Sequence, residues 1–212
     1  MKQAGLLVSS SAFFLSIDRK KEGMTVGETY ALELKDISKR FGSVQANDHV
    51  NLTLRKSEIL AILGENGSGK TTLMNMIYGI YYADEGHIFA NGKEVTICSP
   101  KDSYELGIGM VHQHFKLVDV LTAAENIVLG LPGKARLNMK KITEDIQKLV
   151  NKYGFDLDLS KKIYEMSVSE KQTVEIVKML YRGARILILE EPTAVLTPQE
   201  ADRLFDILRN MR

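Results

Sequence analysis

The segment spanning residues 64–72 has the composition of a phosphate-binding loop. Gly64, Gly69, Lys70 and Thr71 take the fixed positions of the pattern G-x-x-x-x-G-K-[ST]. An apolar run (59–63) precedes the loop and a helix-compatible run (73–77) follows it, which is the strand–loop–helix context that the pattern needs. A glycine turn without a ligand is the alternative, and this context makes it the weaker interpretation. The sequence therefore predicts a nucleotide site.

The chemistry of such a loop assigns roles to its residues. Backbone N–H groups form a concave nest for anions, and the start of the following helix adds positive potential. Lys70 is expected to reach the outer phosphates, and the Thr71 hydroxyl is expected to bind Mg²⁺. The predicted nucleotide-binding residues of the loop are Gly64, Glu65, Asn66, Gly67, Ser68, Gly69, Lys70, Thr71 and Thr72.

A pair of adjacent carboxylates follows a second apolar run. Residues 186–189 read Ile-Leu-Ile-Leu without alternation, which is typical of a buried parallel strand. Glu190 and Glu191 come directly after it. Because ligand sites lie at the carboxyl ends of such strands, these side chains are placed for Mg²⁺ and an attacking water. A solvated acidic loop is the alternative interpretation.

A third candidate strand leads into a loop that contains a glutamine. Residues 108–111 form a short apolar run, and the following loop contains His112, Gln113 and His114. The two histidines could be metal ligands, but a protein metal site needs three or four ligands and no third one is nearby.

Composition excludes several classes of protein. The chain has 212 residues, of which 44% are hydrophobic and 26% are charged, as in globular proteins with a real core. Its net charge of +1 argues against a strongly basic nucleic-acid binder. A single cysteine, Cys98, fits a reducing compartment.

The remaining patterns predict an α/β fold with a mostly parallel sheet. An antiparallel β layer is expected at the N-terminal side of the core, from alternating strands at 31–37 and 50–54 and a hairpin at Asn91 and Gly92. Residues 122–181 read as almost entirely helical, with capping boxes that begin at Thr122 and Ser167. They predict a helical subdomain at about 115–183. Another capping box, at Thr197, begins a final helix that runs to Arg212.

The first 29 residues are expected to lie outside the fold. The apolar stretch from residue 4 to residue 17 is too short to span a bilayer, which needs about 20 residues, and it resembles a poor signal peptide. We interpret residues 1–29 as a disordered or spurious leader, with Met24 as the more natural start. The folded domain is then predicted to cover residues 30–212.

Together these motifs resemble the ATP-binding subunits of ABC transporters, from about Tyr30 to Arg212. The segments at 107–115 (GIGMVHQHF), 125–127 (ENI) and 191–198 (EPTAVLTP) are similar to those of bacterial importers of simple sugars and, more closely, nucleosides. In that family two similar ATPase domains usually share one longer chain, so this chain would correspond to part of the first. The resemblance implies ATP and Mg²⁺ as cofactors and ATP hydrolysis as the activity.

The resemblance also implies roles for individual residues. Phe41 would stack on adenine, and Glu191 would act as general base. Gln113 would contact Mg²⁺ or the attacking water and sense the membrane subunit, and the segment 115–129 would line the docking surface. The serines of the signature segment, Ser167 and Ser169, would face the ATP of a partner domain. The catalytic residues implied are Glu191, Gln113 and Lys70, and the metal-binding residues are Thr71, Gln113 and Glu190.

Partners and location follow from the same resemblance. They are a second ATPase domain in a dimer or tandem, a membrane permease, and indirectly an extracytoplasmic solute-binding protein, with no nucleic acid. The expected location is the cytoplasmic face of the membrane.

The chain departs from the family pattern in several places. Glu190 stands where the family has aspartate, and Ser169 stands where it normally has glycine. Glu170 places a negative charge near the predicted phosphate site. The family also has a further strand after the last helix, with a histidine that contacts the γ-phosphate, so we expect truncation before that residue and an exposed sheet edge. The alternatives are a nucleotide-binding fragment with little or no ATPase activity and a soluble ABC ATPase outside transport.

Overall fold

The computed structural model describes residues 11–17, 30–131 and 138–212. Its strands are β1 (Ser11–Ser16), β2 (Tyr30–Phe41), β3 (Val44–Arg55), β4 (Ile59–Leu63), β5 (Glu85–Ala90), β6 (Lys93–Val95), β7 (Ile108–Val111) and β8 (Ile186–Glu190). Its helices are α1 (Lys70–Tyr78), α2 (Pro100–Glu105), α3 (Ala123–Val128), α4 (Met139–Tyr153), α5 (Val168–Tyr181) and α6 (Pro198–Met211), with a 3₁₀ turn at Ile163–Glu165. The predicted α/β class is confirmed.

The core sheet brings together the strands that end at the predicted site. Its order is β4-β1-β8-β7, with β7 parallel to β8 and β1 antiparallel to both β4 and β8. Strands β4, β7 and β8 therefore run in one direction, and their carboxyl ends meet at one edge. The phosphate loop follows β4, Gln113 follows β7, and Glu190 ends β8.

A second sheet forms the predicted antiparallel layer. Its order is β3-β2-β5-β6, and all its pairings are antiparallel. Asn91 and Gly92 turn the β5–β6 hairpin with φ values of 50° and 76°, as a type I′ turn requires. Buried side chains of this layer, among them Leu32, Leu34 and Ile37, pack with one face of the core sheet.

Helices α3, α4 and α5 lie in the chain between β7 and β8, as the sequence predicts. The capping boxes that begin at Thr122, Ser167 and Thr197 are all present. Buried side chains from these helices and from α6 pack on the other face of the core sheet, where Phe13 contacts Phe205 edge-on. None of the helices within the described ranges is long and apolar enough to cross a membrane.

The prediction of a disordered leader is wrong for residues 11–17. Ser11–Ser16 form β1, a fully buried strand in the interior of the core sheet, and a chain starting at Met24 would lack it. The physical reason is that a short segment with four consecutive apolar residues, Ala12–Leu15, can be buried on both faces, as central strands are. The leader residues 1–10 and 18–29 lie outside the described residues. Because β1 occupies the position between β4 and β8, the two strands that carry the site are joined through it.

Candidate nucleotide-binding site

The phosphate loop curls tightly around the Lys70 side chain. Gly67 and Gly69 have φ values of 84° and 85°, and α1 begins at Lys70. The Lys70 Nζ atom donates to the Gly64 carbonyl oxygen at 2.8 Å, to the Glu65 carbonyl oxygen at 2.7 Å and to Ser68 Oγ at 3.2 Å. The ammonium group therefore lies against the loop at the start of a helix, where a phosphate oxygen would meet both a positive charge and backbone donors.

Asn47, which the sequence analysis missed, supports the loop from β3. Its Nδ2 atom donates to the Gly69 carbonyl oxygen at 3.3 Å. The residue is 7% exposed, and its Oδ1 atom finds no hydrogen-bond partner in the described part of the chain. The sequence does not predict this contact, because the contact depends on how the β2–β3 hairpin packs on the phosphate loop.

Thr71 and Glu190 meet across the carboxyl edge of the sheet. Thr71 Oγ1 donates to Glu190 Oε1 at 3.0 Å, although the residues are far apart in sequence. The backbone N–H of Gln113 lies 3.5 Å from Glu190 Oε2. The structure thus brings the three predicted metal-binding residues, Thr71, Gln113 and Glu190, into one cluster.

Glu191 adjoins this cluster with its backbone in an uncommon conformation. Its φ is 43°, in the left-handed region that non-glycine residues seldom adopt. Gln113 Nε2 donates to Glu191 Oε2 at 3.2 Å. The following residue, Pro192, is held by the buried Gln172 of α5, whose Nε2 donates to the Pro192 carbonyl oxygen at 2.8 Å. Strained residues that the surroundings hold in place are concentrated at functional sites.

His112 is a second residue whose place in the site was missed, since the sequence offered it only as a possible metal ligand. Its Nδ1 lies 3.8 Å from Glu190 Oε2, and its Nε2 lies 3.1 Å from Lys116 Nζ. The His112 ring, the Thr71 hydroxyl and the Gln113 backbone N–H hold the pKa of the Glu190 carboxyl below its ordinary value, against the effect of burial. Glu190 is therefore an anion at neutral pH.

The donor set fits a magnesium ion bound together with phosphate. A hydroxyl, an amide and carboxylates provide the hard oxygen atoms that Mg²⁺ prefers. Within the described ranges, no three His, Cys, Asp or Glu side chains converge as a metal cluster. Mg²⁺ usually keeps several waters and is bound through one or two carboxylates plus substrate phosphates, so a site of this kind does not need such a cluster.

Phe41 is placed at the end of β2, beside the β2–β3 turn. Its side chain is 43% exposed, and its ring contacts Tyr81 edge-on with the ring centroids 5.1 Å apart. Lys39 Nζ lies 5.4 Å from the Phe41 ring centroid and forms an ion pair with Asp84 at 2.6 Å. A ring that is held at its edge and exposed elsewhere can stack on a nucleobase, since every base has a π-face.

The two signature serines lie apart from this cluster. Ser167 caps α5, and its Oγ lies 3.1 Å from Ser169 Oγ. The contacts of the described residues do not join either serine to Thr71, Gln113 or Glu190. Ser169 instead reaches the Glu200 carboxylate at the start of α6.

The Glu170 side chain folds back onto the N-cap residue at the start of α5. Its carboxylate accepts from the Ser167 backbone N–H at 2.7 Å, completing the capping box, and from Lys161 Nζ at 2.7 and 3.0 Å. The Lys161 ammonium and the Ser167 donors hold the pKa of the Glu170 carboxyl below its ordinary value, against desolvation. The charge that the sequence places near a phosphate is thus compensated within the protein.

This arrangement predicts a pH-dependent effect of Glu170→Gln. Because the pKa is lower in the folded state, the carboxylate stabilises the fold at pH values above its unfolded pKa, and this contribution is lost as pH falls through the folded pKa. We expect the free energy of unfolding to fall by about 1 kcal/mol at pH 7. The difference from the wild type should be smaller at about pH 3 than at pH 7, because protonation removes this contribution as pH falls. Urea denaturation at both pH values measures this, and an equally large difference in acid would contradict it.

A second prediction concerns Glu190→Asp. Glu190 reaches the Thr71 hydroxyl directly, and a side chain one methylene shorter leaves more room for an ion with near-ideal octahedral geometry. We expect the Mg²⁺ concentration for half-maximal ATP turnover to fall by about tenfold, and turnover at low Mg²⁺ to rise. A Mg²⁺ titration of turnover measures both. Equal turnover of the two proteins at every Mg²⁺ concentration would contradict the prediction.

Comparison with known proteins identifies the family. The ABC transporter family matches residues 47–194. The chain is 47% identical over 184 residues to the guanosine import ATP-binding protein NupO of Bacillus subtilis, covering 86% of this chain and 36% of that protein. It is 48% identical over 182 residues to the nucleoside import ATP-binding protein NupA of Lactococcus lactis, covering 85% and 36%. The chain thus spans little more than a third of the length of these relatives.

Solved structures agree with this assignment. The fold matches cbiO1 from Clostridium perfringens, part of an ABC transporter complex, with a TM-score of 0.71 at 25% identity, covering 87% of this chain and 74% of that one. It matches a nucleotide-free ATP-binding cassette from an ABC transporter with a TM-score of 0.69 at 26% identity, covering 85% and 76%. The fold is therefore that of an ATP-binding cassette. The chain belongs to the ABC transporter family, and the two sequence relatives named above are import ATP-binding proteins for guanosine and for nucleosides.

Proposed function

We propose that this chain binds and hydrolyses ATP to energise the import of a sugar or nucleoside. The observation that carries the proposal is the cluster at the carboxyl edge of the core sheet, where Thr71 lies 3.0 Å from Glu190 and Gln113 lies 3.2 Å from Glu191. A phosphate loop, a carboxylate for the metal and a second carboxylate for water are the parts that phosphoryl transfer to water needs. Family membership supports the same reaction.

Each residue of the cluster would have its own role in ATP hydrolysis. Lys70 and the backbone N–H groups of the loop would hold the outer phosphates and balance the charge that develops on them. Magnesium, when bound, would neutralise part of the phosphate charge. Thr71 and Glu190 would hold that ion. Glu191 would accept the proton of the attacking water, while Gln113, which is hydrogen-bonded to Glu191, orients the water.

A second ATPase domain would complete the site. Ser167 and Ser169 lie at the N-terminal end of α5, a helix of 14 residues whose positive end can face a phosphate of a partner domain. Because the Lys161 ammonium pairs with the Glu170 carboxylate, that carboxylate would repel a phosphate less. This interpretation supports a dimer or tandem held together by ATP.

The docking surface for a membrane permease would lie between the Gln113 loop and α3. Val118, Val120 and Leu129 expose 40%, 69% and 47% of their surface there. Buried polar contacts connect this segment to α5, since the Lys116 backbone N–H donates to Glu175 Oε1 at 3.0 Å. The chain would then act at the cytoplasmic face of the membrane, with a solute-binding protein on the other side.

Two measurements test this function. Purified chain should hydrolyse ATP only with Mg²⁺ present, and Lys70→Ala should abolish turnover. In the source organism, disruption of the gene should abolish uptake of a labelled nucleoside or simple sugar, and a copy with Lys70→Ala should fail to restore it. Turnover without any uptake defect would favour an ABC ATPase outside transport, and binding without turnover would favour a nucleotide-binding fragment.

A further inference from the structure

Helix α5 carries a row of buried polar side chains. Gln172, Glu175 and Lys178 are 5%, 4% and 8% exposed. They follow one another at intervals of three residues, which places them on one side of the helix. Because charged and polar side chains are seldom buried without a partner, each of them is expected to hold another part of the structure.

Glu175 and Lys178 form a buried ion pair that holds both backbone groups of Lys116. Lys178 Nζ lies 3.6 Å from Glu175 Oε1. The Lys116 backbone N–H donates to Glu175 Oε1 at 3.0 Å, and Lys178 Nζ donates to the Lys116 carbonyl oxygen at 3.2 Å. Lys116 lies in the loop after β7, outside the strands and helices. The ion pair therefore gives this residue the two backbone bonds that a neighbouring strand would otherwise provide.

This ion pair is better explained by the position it fixes than by the stability it adds. Taking two charges out of water costs about as much free energy as their attraction returns, and replacing such a pair by apolar residues of similar volume is often neutral. Desolvation lowers the pKa of the Lys178 ammonium, although the nearby Glu175 carboxylate acts in the opposite direction.

The residue that the ion pair holds is close to Gln113 in the same loop. Lys116 follows Gln113 by three residues, and its Nζ lies 3.1 Å from Nε2 of His112, the residue before Gln113. Gln113 Nε2 in turn donates to Glu191 Oε2 at 3.2 Å. The loop that carries Gln113 is thus held by β7 at its start and by α5 three residues later.

Gln172 connects α5 to the other loop of the site. Its Nε2 donates to the carbonyl oxygen of Pro192, the residue after Glu191. The same side of α5 therefore contacts the loop of Gln113 and the loop of Glu191, and these bonds are made to loop residues rather than to strands of the core sheet.

We propose that Glu175 and Lys178 are a positioning pair for ATP hydrolysis: they hold the backbone of Lys116 on α5 and so keep Gln113 where it can orient the attacking water. This inference rests on the proposed role of Gln113. Misplacement of a reacting group by about 1 Å can lower a rate by about 100-fold. The phosphate loop has its own contacts with Lys70, so loss of the pair should affect turnover more than ATP binding.

The first test replaces both charges by methionine in the full chain. Glu175→Met with Lys178→Met, the methionine variant, fills the same space but removes both bonds to Lys116. We expect a melting temperature within about 5 °C of the wild type, because a buried ion pair adds little stability. We expect kcat to fall by about tenfold and the Kd for ATP, measured without Mg²⁺, to change by less than about twofold. A pair that only filled the core would leave kcat unchanged.

Two further variants separate position from stability. Val177→Ala shortens a fully buried side chain of α5 and should lower the melting temperature, with kcat within about twofold of the wild type. Glu175→Gln with Lys178→Met keeps an oxygen that can accept from the Lys116 backbone N–H. This variant should recover kcat to within about threefold of the wild type.

A double-mutant cycle shows whether the pair acts through Gln113. In a Gln113→Ala background, the two methionine substitutions should lower kcat by less than about twofold, because the side chain that they would misplace is already absent. If the substitutions lower kcat by the same factor in both backgrounds, the pair does not act through Gln113 and the proposal is overturned.

Hydrogen exchange supplies a readout that needs no turnover. The Lys116 amide should be protected in the wild type and should exchange at least about tenfold faster in the methionine variant. The proposal is also overturned if this amide is unprotected in the wild type, if the methionine variant unfolds or keeps the wild-type kcat, or if Val177→Ala lowers kcat as much. Should Gln113→Ala leave wild-type turnover unchanged, the role of Gln113 fails instead, and exchange of the Lys116 amide still decides whether the pair holds the loop.

Discussion

Glu191→Gln should abolish ATP turnover while leaving ATP binding intact. The substitution keeps the size of the side chain and an oxygen that can accept from Gln113 Nε2, which lies 3.2 Å from Glu191 Oε2. It removes the ability to accept a proton from the attacking water. General-base catalysis contributes about 10²- to 10⁴-fold, so we expect kcat to fall by at least about 100-fold. The loss of a negative charge near the phosphates should leave the Kd for ATP unchanged or lower it.

The measurement combines steady-state phosphate release with nucleotide titration on the same preparation. Glu144→Gln is the matched control, because Glu144 is an exposed residue of α4 that undergoes the same chemical change. It should turn over like the wild type. A Glu191→Gln protein with kcat within about threefold of the wild type would remove Glu191 from the role of general base, since even a weak base contributes more than that.

The site was predictable where its chemistry is local in sequence. The phosphate loop is one continuous segment with fixed glycine positions, and the run before Glu190 reads as a buried strand without any tertiary information. The carboxyl ends of parallel strands meet at one edge, so the meeting of Thr71, Gln113 and Glu190 followed from the three strand predictions. The catalytic, metal-binding and signature roles of these residues stay predictions.

What the sequence could not supply depends on pairing between distant segments. The segment from Ser11 to Ser16 is short and has an apolar middle, and periodicity alone cannot separate a central strand from a signal-like segment. Only the pairing of this segment with β4 and β8 shows that it forms a strand of the core sheet. His112 was likewise interpreted from its neighbour His114, whereas its contact with Glu190 arises from the parallel register of β7 and β8.

Gly69→Ala should disable the phosphate loop. Gly69 has a φ of 85°, which an alanine adopts only at a cost of about 1–3 kcal/mol. A methyl group there would also collide with the backbone carbonyl oxygen of Ala46 and lie 2.9 Å from Asn47 Nδ2. Because the obstacle is a backbone atom of β3, it cannot move aside as a flexible side chain would. We expect the loop to change shape and ATP affinity to fall by at least about 100-fold, which corresponds to about 2.7 kcal/mol.

Gly67→Ala separates the collision from the backbone strain. Gly67 lies in the same loop with a φ of 84°, but a methyl group there would meet no atom within 4 Å. It should therefore suffer the same backbone strain without the collision, and we expect ATP affinity to fall by about tenfold, which corresponds to the lower end of that range of about 1–3 kcal/mol. Titration calorimetry on both variants measures the two losses of ATP affinity. Equal losses of affinity would mean that strain alone accounts for the effect, and that the contact of the loop with β3 does not determine its shape.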